Sequence, residues 1–141
     1  MADGEFPAPR SGFVVTHFLV VSDQDRSREF YRSVFDATVV QERDPVILQL
    51  ANSWLILNVG GGPTDDKPSV TLAPPAEPDL TSAFLNIRVA DMAAAYAEWS
   101  ARGAQFLTEP MDHAREFRAY IRDPDGHLIE VGQSKAWPGT P

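Results

Sequence analysis

The chain has 141 residues, 43% of them hydrophobic, and a formal net charge of −8, which is enough sequence for one ordinary domain with a core. No apolar run reaches the roughly 18 residues that span a bilayer, and the first ten residues do not resemble a secretory signal. There is no cysteine, which excludes disulfides and thiolate metal sites. The lack of cysteine and of a long apolar run predicts a cytoplasmic protein without a membrane partner. The acidic surface repels phosphate backbones, so no nucleic-acid partner is expected.

The first half of the chain predicts a helix among four strands. Residues 1–12 are polar and proline-containing and predict a loose N-terminal arm. Asp23 follows the first apolar run and is expected to cap a helix whose apolar face holds Tyr31 and Val34. The strands predicted from β-branched and apolar runs are 13–21, 38–42, 46–50 and 54–59.

The second half repeats this order after a Gly-, Pro- and Asp-rich linker at residues 61–82. Residues 83–89 predict a strand, Asp91 is expected to cap a helix over 92–101, and Gly103 is expected to end it. A strand from residue 105, a loop over 109–116 and a closing hairpin follow. The sequence therefore predicts one domain over 13–133, built from modules 13–60 and 83–133, with a tail at 134–141.

The closing hairpin turns at Asp123-Pro124-Asp125-Gly126, where proline presets φ and glycine tolerates a positive φ. Beyond the turn the side chains alternate, so Leu128 and Glu130 share one face of the strand. Glu130 is a carboxylate among apolar neighbours, and such a group needs a charge partner, hydrogen bonds or a metal.

Tyr120, this turn and Glu130 together resemble the closing hairpin of the vicinal-oxygen-chelate superfamily, which includes glyoxalase I, bleomycin- and fosfomycin-resistance proteins and extradiol dioxygenases. The resemblance implies an α+β fold in which two βαβββ modules form curved mixed sheets around a cleft. It also implies a homodimer. Trp137, on the tail, is interpreted as a lid over the cleft or a dimer contact.

In metal-dependent members of that superfamily, the ligands are a histidine on the first strand of each half and a carboxylate on the last strand. Glu130 matches the carboxylate, but Phe84 stands at the second-half histidine position and Thr16 at the first, with His17 one residue away. An additional first-half carboxylate position falls near Leu57 or Asn58, and neither is acidic. The sequence does not establish a cofactor. The candidate ligands for a divalent Zn, Ni, Mn or Fe ion are His17 and Glu130.

The side chains expected to face the cleft with Glu130 combine apolar and aromatic walls with a few polar groups, which is typical of a small-molecule site. Tyr120 also matches a substrate-contacting tyrosine of fosfomycin-resistance relatives. The candidate ligand-binding residues are Thr16, Phe18, Phe84, Asn86, Arg88, Arg118, Tyr120 and Leu128.

Three functions are compatible with this pattern. The preferred one is a protein that binds an aromatic or natural-product-like small molecule without a complete metal site. The alternative is a divalent-metal-dependent lyase, isomerase or ring-cleaving dioxygenase that uses Glu130 and His17. The third is metal-free acid–base catalysis by Glu130 alone.

Overall fold

The computed structural model describes residues 5–135. The chain divides into two compact units, Met1–Ala76 and Glu77–Pro141, and the boundary lies inside the predicted linker. Each unit contains one helix and one four-stranded mixed sheet, which confirms the predicted α+β fold of two βαβββ modules.

In the first unit the sheet order is β1-β4-β3-β2, with β1 parallel to β4 and the other neighbours antiparallel. Leu19, Val21, Tyr31 and Leu55 are among the apolar residues buried between the helix and one sheet face. The elements of this unit are β1 His17–Val20, α1 Gln24–Phe35, β2 Thr38–Gln41, β3 Val46–Leu50 and β4 Ser53–Asn58.

The first strand is shorter than predicted. The apolar run predicted a strand over 13–21, but β1 pairs with β4 only from His17 to Val20. Upstream of β1, Phe13 is 87% exposed and Val15 is 75% exposed. β-branched and aromatic composition favours extended backbone, yet a strand also needs a neighbouring strand to accept its hydrogen bonds.

The second unit repeats the topology, with sheet order β5-β8-β7-β6 and β5 parallel to β8. The strand predicted from residue 105 is reduced to a single bridge between Phe106 and Ile121, and β6 forms inside the predicted loop. The elements are β5 Leu85–Arg88, α2 Met92–Ala101, β6 Met111–Asp112, β7 Glu116–Arg122 and β8 Leu128–Ser134.

Both helices begin where the sequence predicted. The carboxylate of Asp23 accepts a hydrogen bond from the Arg26 backbone N–H, and that of Asp91 accepts one from the Ala94 N–H, each at 3.0 Å. Such caps satisfy N–H groups that have no partner inside the helix. Neither helix of the described chain has the length and apolar character needed to cross a bilayer.

The closing turn has the predicted geometry. Gly126 has φ of 88°, and the Asp123 N–H donates to the His127 carbonyl at 3.0 Å. The buried Asp123 carboxylate accepts from the backbone N–H groups of Asp125 and His127. These bonds set the register of β7 against β8, so that Tyr120 lies directly opposite Glu130.

Candidate functional site

The candidate site is built on the face of the second sheet that does not carry the helix. Ala119, Ile121, Ile129 and Val131 point to the buried side, at 0–1% exposure. Side chains alternate along each strand, so Tyr120 of β7 and Glu130 of β8 point to the opposite face. Asn86 of β5 is the other register partner of Glu130. Three polar side chains therefore form a row across β5, β8 and β7.

Glu130 is satisfied by this row. Its side chain is only 12% exposed; Oε1 accepts a hydrogen bond from the Asn86 amide at 2.8 Å and Oε2 accepts one from the Tyr120 hydroxyl at 3.0 Å. The Arg88 guanidinium lies 3.9 Å from Oε1. The Arg118 guanidinium pairs with Glu116.

Glu116 is the second carboxylate on this face, with 11% of its side chain exposed. Its oxygens lie 3.0 Å from the Arg88 guanidinium and 3.6 Å from that of Arg118. Arg88 also donates to the Ser134 hydroxyl at 2.9 Å. A Cβ at Gly132 would lie 2.1 Å from the Arg88 guanidinium nitrogen, so the missing side chain makes room for this ion pair.

Aromatic rings flank the polar row. Phe84 precedes β5, is 43% exposed and meets the ring of Tyr120 edge-on, with centroids 6.4 Å apart. The Arg118 guanidinium carbon lies 6.0 Å from the Tyr120 ring centroid. Burial first, and then the hydrogen bond to Glu130, raise the pKa of the Tyr120 hydroxyl. This hydroxyl therefore stays a proton donor at neutral pH.

The structure thus brings Asn86, Arg88, Tyr120 and Glu130 into one network, and Leu128 lies further along the same face of β8. The sequence reasoning missed Glu116, Gly132 and Ser134. Alternation alone would have placed Gly132 and Ser134 beside Glu130, but the predicted loop over 109–116 concealed that Glu116 begins a strand.

The first-unit candidates lie on a face of different chemistry. Phe18, 45% exposed, pairs with Ile56 in β1 and β4 as Asn86 pairs with Glu130 in β5 and β8. Ile56 is therefore the counterpart of Glu130 in strand register. Leu57 instead points into the core and is fully buried. The comparable row of the first sheet is apolar.

His17 and Thr16 are neighbours where β1 begins. His17 alternates with Phe18 and shares the face of Leu19, which is 6% exposed, so it lies on the helix side of the sheet. Thr16 precedes the strand and is half-buried. A cleft shared by the two units stays a prediction, and Trp137 lies outside the described residues.

The donors present do not fit the divalent metal of the superfamily's metalloenzymes. A catalytic metal needs about three protein ligands and an open position. The two Glu130 oxygens each accept a hydrogen bond, one from Asn86 and one from Tyr120, and Phe84 offers no donor atom. Within residues 5–135, no three histidine, aspartate or glutamate side chains are grouped as such a site requires.

Comparison with known proteins agrees with this architecture. The family model described as Glyoxalase/Bleomycin resistance protein/Dioxygenase superfamily matches residues 13–131. The chain therefore belongs to the glyoxalase/bleomycin resistance protein/dioxygenase superfamily. No curated protein matches the chain in sequence.

Solved structures share the fold at low identity. A glyoxalase/bleomycin resistance protein/dioxygenase from Nocardioides is 20% identical with a TM-score of 0.70, over 94% of this chain and 92% of that one. The fosfomycin resistance protein FosX from Mesorhizobium loti is 17% identical with a TM-score of 0.64, over 87% and 92%. The antibiotic-binding protein TnmS3 from Streptomyces sp. CB03234 is 19% identical with a TM-score of 0.64, over 91% and 100%.

Proposed function

We propose that this chain is a binding protein that holds a small, partly aromatic organic molecule on the Glu130 face of the second sheet, without a metal. The observation that carries the proposal is the pairing of both Glu130 oxygens with Asn86 and Tyr120. A carboxylate held this way presents a fixed arrangement of hydrogen-bonding groups to an organic ligand. Within residues 5–135 it does not belong to a group of three side chains that could hold a metal ion.

The neighbours of the row suit such a ligand. The exposed ring of Phe84 offers a surface on which an aromatic ring can stack. Arg88 and Arg118, with 40% and 34% of their side chains exposed, can donate to ligand oxygens beside it. Among proteins of this fold, TnmS3 is described as an antibiotic-binding protein, and FosX as a fosfomycin resistance protein, which supports a natural-product ligand.

Isothermal titration against a panel of aromatic natural products, with chelator present, tests the proposal. We expect saturable binding that Phe84→Ala weakens about 2- to 10-fold, since an aromatic pair contributes about 0.5–1.5 kcal/mol. Phe13→Ala is the matched control, because Phe13 is an exposed phenylalanine of the other unit.

Two results would contradict the proposal. One is binding that appears only after a divalent metal is added. The other is conversion of the ligand to product in proportion to bound metal, which would favour the lyase, isomerase or dioxygenase alternative. The predicted homodimer and the residues assigned to the ligand remain part of this proposal.

A further inference from the structure

A cavity of about 390 Å³ lies in the second unit, on the sheet face opposite Glu130. It opens where α2 begins and is bounded by Met92, Ala93 and Tyr96 of the helix and by Phe117 and Gln133 of the sheet. Phe117 and Gln133 are register partners on adjacent strands. They alternate with Glu116 and Ser134 along those strands, so the cavity and the Glu130 site use opposite sides of one sheet.

In the first unit, polar residues occupy the equivalent position at the start of the helix. Its counterpart, a hollow of about 410 Å³, lies between the N-terminus of α1 and the loop before β3. There Gln24 and Asp44 exchange two hydrogen bonds, of 2.9 and 3.1 Å, and Asp25 pairs with Arg43. These contacts tie the loop to the helix, so the hollow is lined by charged groups that already have partners.

In the described part of the second unit, residues 77–135, the matching helix positions carry no such polar side chains. Counted from the two N-caps, Met92 and Ala93 replace Gln24 and Asp25. The same count puts Tyr96 in the place of Arg28, the arginine that pairs with Asp25 in the first unit. The duplicated position has therefore changed from a network of ion pairs to an apolar hollow.

The walls of the cavity are apolar and held in place. Met92 is only 2% exposed, and the Tyr96 ring meets Phe106 edge-on with centroids 4.6 Å apart. The Gln133 side chain accepts a hydrogen bond from the Met92 backbone N–H at 2.7 Å, which joins the sheet to the helix. The cavity is near the lower end of the roughly 300–1,000 Å³ typical of small-molecule sites.

The charged side chains at the rim of the cavity are acidic. Glu109 and the helix-capping Asp91 line the cavity, and no lysine or arginine of residues 5–135 does. Glu109 is exposed, and within residues 5–135 its carboxylate has no hydrogen-bond or ion-pair partner. The nearby Lys135 ammonium lies 4.3 Å from the Phe117 ring centroid, and its charge is taken up by Asp112 and the His113 carbonyl. That contact places the chain's own ammonium group over one face of the Phe117 ring.

We infer that this cavity is a second binding site, for a small organic cation that has an aromatic or branched aliphatic body. The body contacts Met92, Tyr96 and Phe117, and the ammonium group faces Glu109. This site is separate from the one assigned to the proposed function, because it lies on the other side of the sheet.

The test uses two probes of the same shape, phenethylamine and phenethyl alcohol, titrated into the isotope-labelled full-length chain. Amide NMR is expected to show saturable shifts at Ala93, Tyr96 and Gln133 and none at Asn86 or Tyr120. The amine should bind about two- to fivefold more tightly than the alcohol, as expected for one exposed carboxylate–ammonium pair. Equal affinity for the two probes would overturn the assignment to cations.

Matched variants locate the site. Ala93→Trp fills the cavity and should weaken amine binding at least about tenfold, whereas Ala94→Trp places the same side chain on the exposed helix surface and should not. Glu109→Gln should reduce the preference for the amine, and Glu98→Gln, an exposed glutamate outside the cavity, should leave it unchanged.

The charge variants keep the test decisive if Ala93→Trp disturbs folding, because they remove no packing. Unchanged binding in a folded Ala93→Trp variant would overturn the proposal. So would the absence of saturable shifts at millimolar amine, or shifts confined to the Glu130 face.

Discussion

At the scale of single residues, Glu130 is defined by its partners. It lies between Ile129 and Val131, which point to the opposite face and are fully buried, and its two oxygens are bound by an amide and a phenol. Buried polar groups are stable when they are hydrogen-bonded, and costly when one partner is removed. The same contact acts on the phenol, because a nearby carboxylate disfavours the charged phenolate.

The Tyr120 hydroxyl should therefore lose its proton at a higher pH than an ordinary tyrosine. Its pKa lies above the ordinary value of about 10 because burial and Glu130 both disfavour the phenolate. The folded chain holds this proton more tightly than the unfolded chain. The associated stability is fully present below about pH 10 and is lost as the pH rises through the folded-state pKa.

Ultraviolet titration of the three tyrosines measures their pKa values, and the Tyr120→Phe variant identifies the contribution of Tyr120. In Glu130→Gln the pKa of Tyr120 should fall but stay above the ordinary value, because burial is the larger cause. An unchanged pKa in Glu130→Gln would show that the carboxylate does not act on this phenol.

At the scale of the elements, β8 is the middle one of the three strands that carry the Glu130 row, and its Gly132 makes room there for an ion pair. Arg88, from β5, reaches across Gly132 to Glu116 on β7, so one ion pair joins β5 to β7 over β8. Any side chain at Gly132 would contact the guanidinium, since even a Cβ would lie 2.5 Å from its central carbon.

We expect Gly132→Ala to lower the free energy of unfolding by about 1 kcal/mol, because it separates Arg88 from the mostly buried Glu116. Urea unfolding measures the change. Gly62→Ala, at a glycine with open space around it, should stay within about 0.5 kcal/mol of the wild type.

A double-mutant cycle identifies the cause. In an Arg88→Ala background the cost of Gly132→Ala should largely disappear, since the two changes act on the same ion pair. Fully additive costs would mean that the glycine is needed for another reason, such as the backbone of β8.

At the scale of the whole molecule, the chain is a duplicated unit whose copies have diverged. Both copies retain the aspartate-capped helix and the same strand order. The row that contains Glu130 in the second copy is apolar in the first, where Phe18 faces Ile56. On this sheet face the polar side chains lie in the second unit, and within residues 5–135 no three metal-donor side chains are grouped.

Chelation should therefore leave the thermal stability of the whole chain unchanged, within about 1 °C. A metal held at a hundred times its dissociation constant would stabilise by about 2.7 kcal/mol, and its removal would lower Tm by roughly 5–10 °C. Thermal unfolding with and without chelator, and after adding zinc or nickel, measures this. A decrease in Tm of several degrees on adding chelator would contradict the interpretation that Glu130 binds no metal.

Local chemistry explains what the sequence by itself determined. Asp23 and Asp91 cap helices, and Asp-Pro-Asp-Gly forms a turn, through bonds between residues close in the chain. Alternation along β8 then predicted that Glu130 shares a face with Leu128. The duplicated order of elements was visible for the same reason, whereas the resemblance to the family rested on the closing hairpin.

Only the tertiary structure decided which distant side chains meet. The choice of Tyr120 and Asn86 over Arg118 as partners of Glu130 depends on strand register, and so does the position of Ile56. The end of β1 at His17 depends on the partner strand rather than on composition. Register is a property of pairs of strands far apart in sequence, and no single segment encodes it.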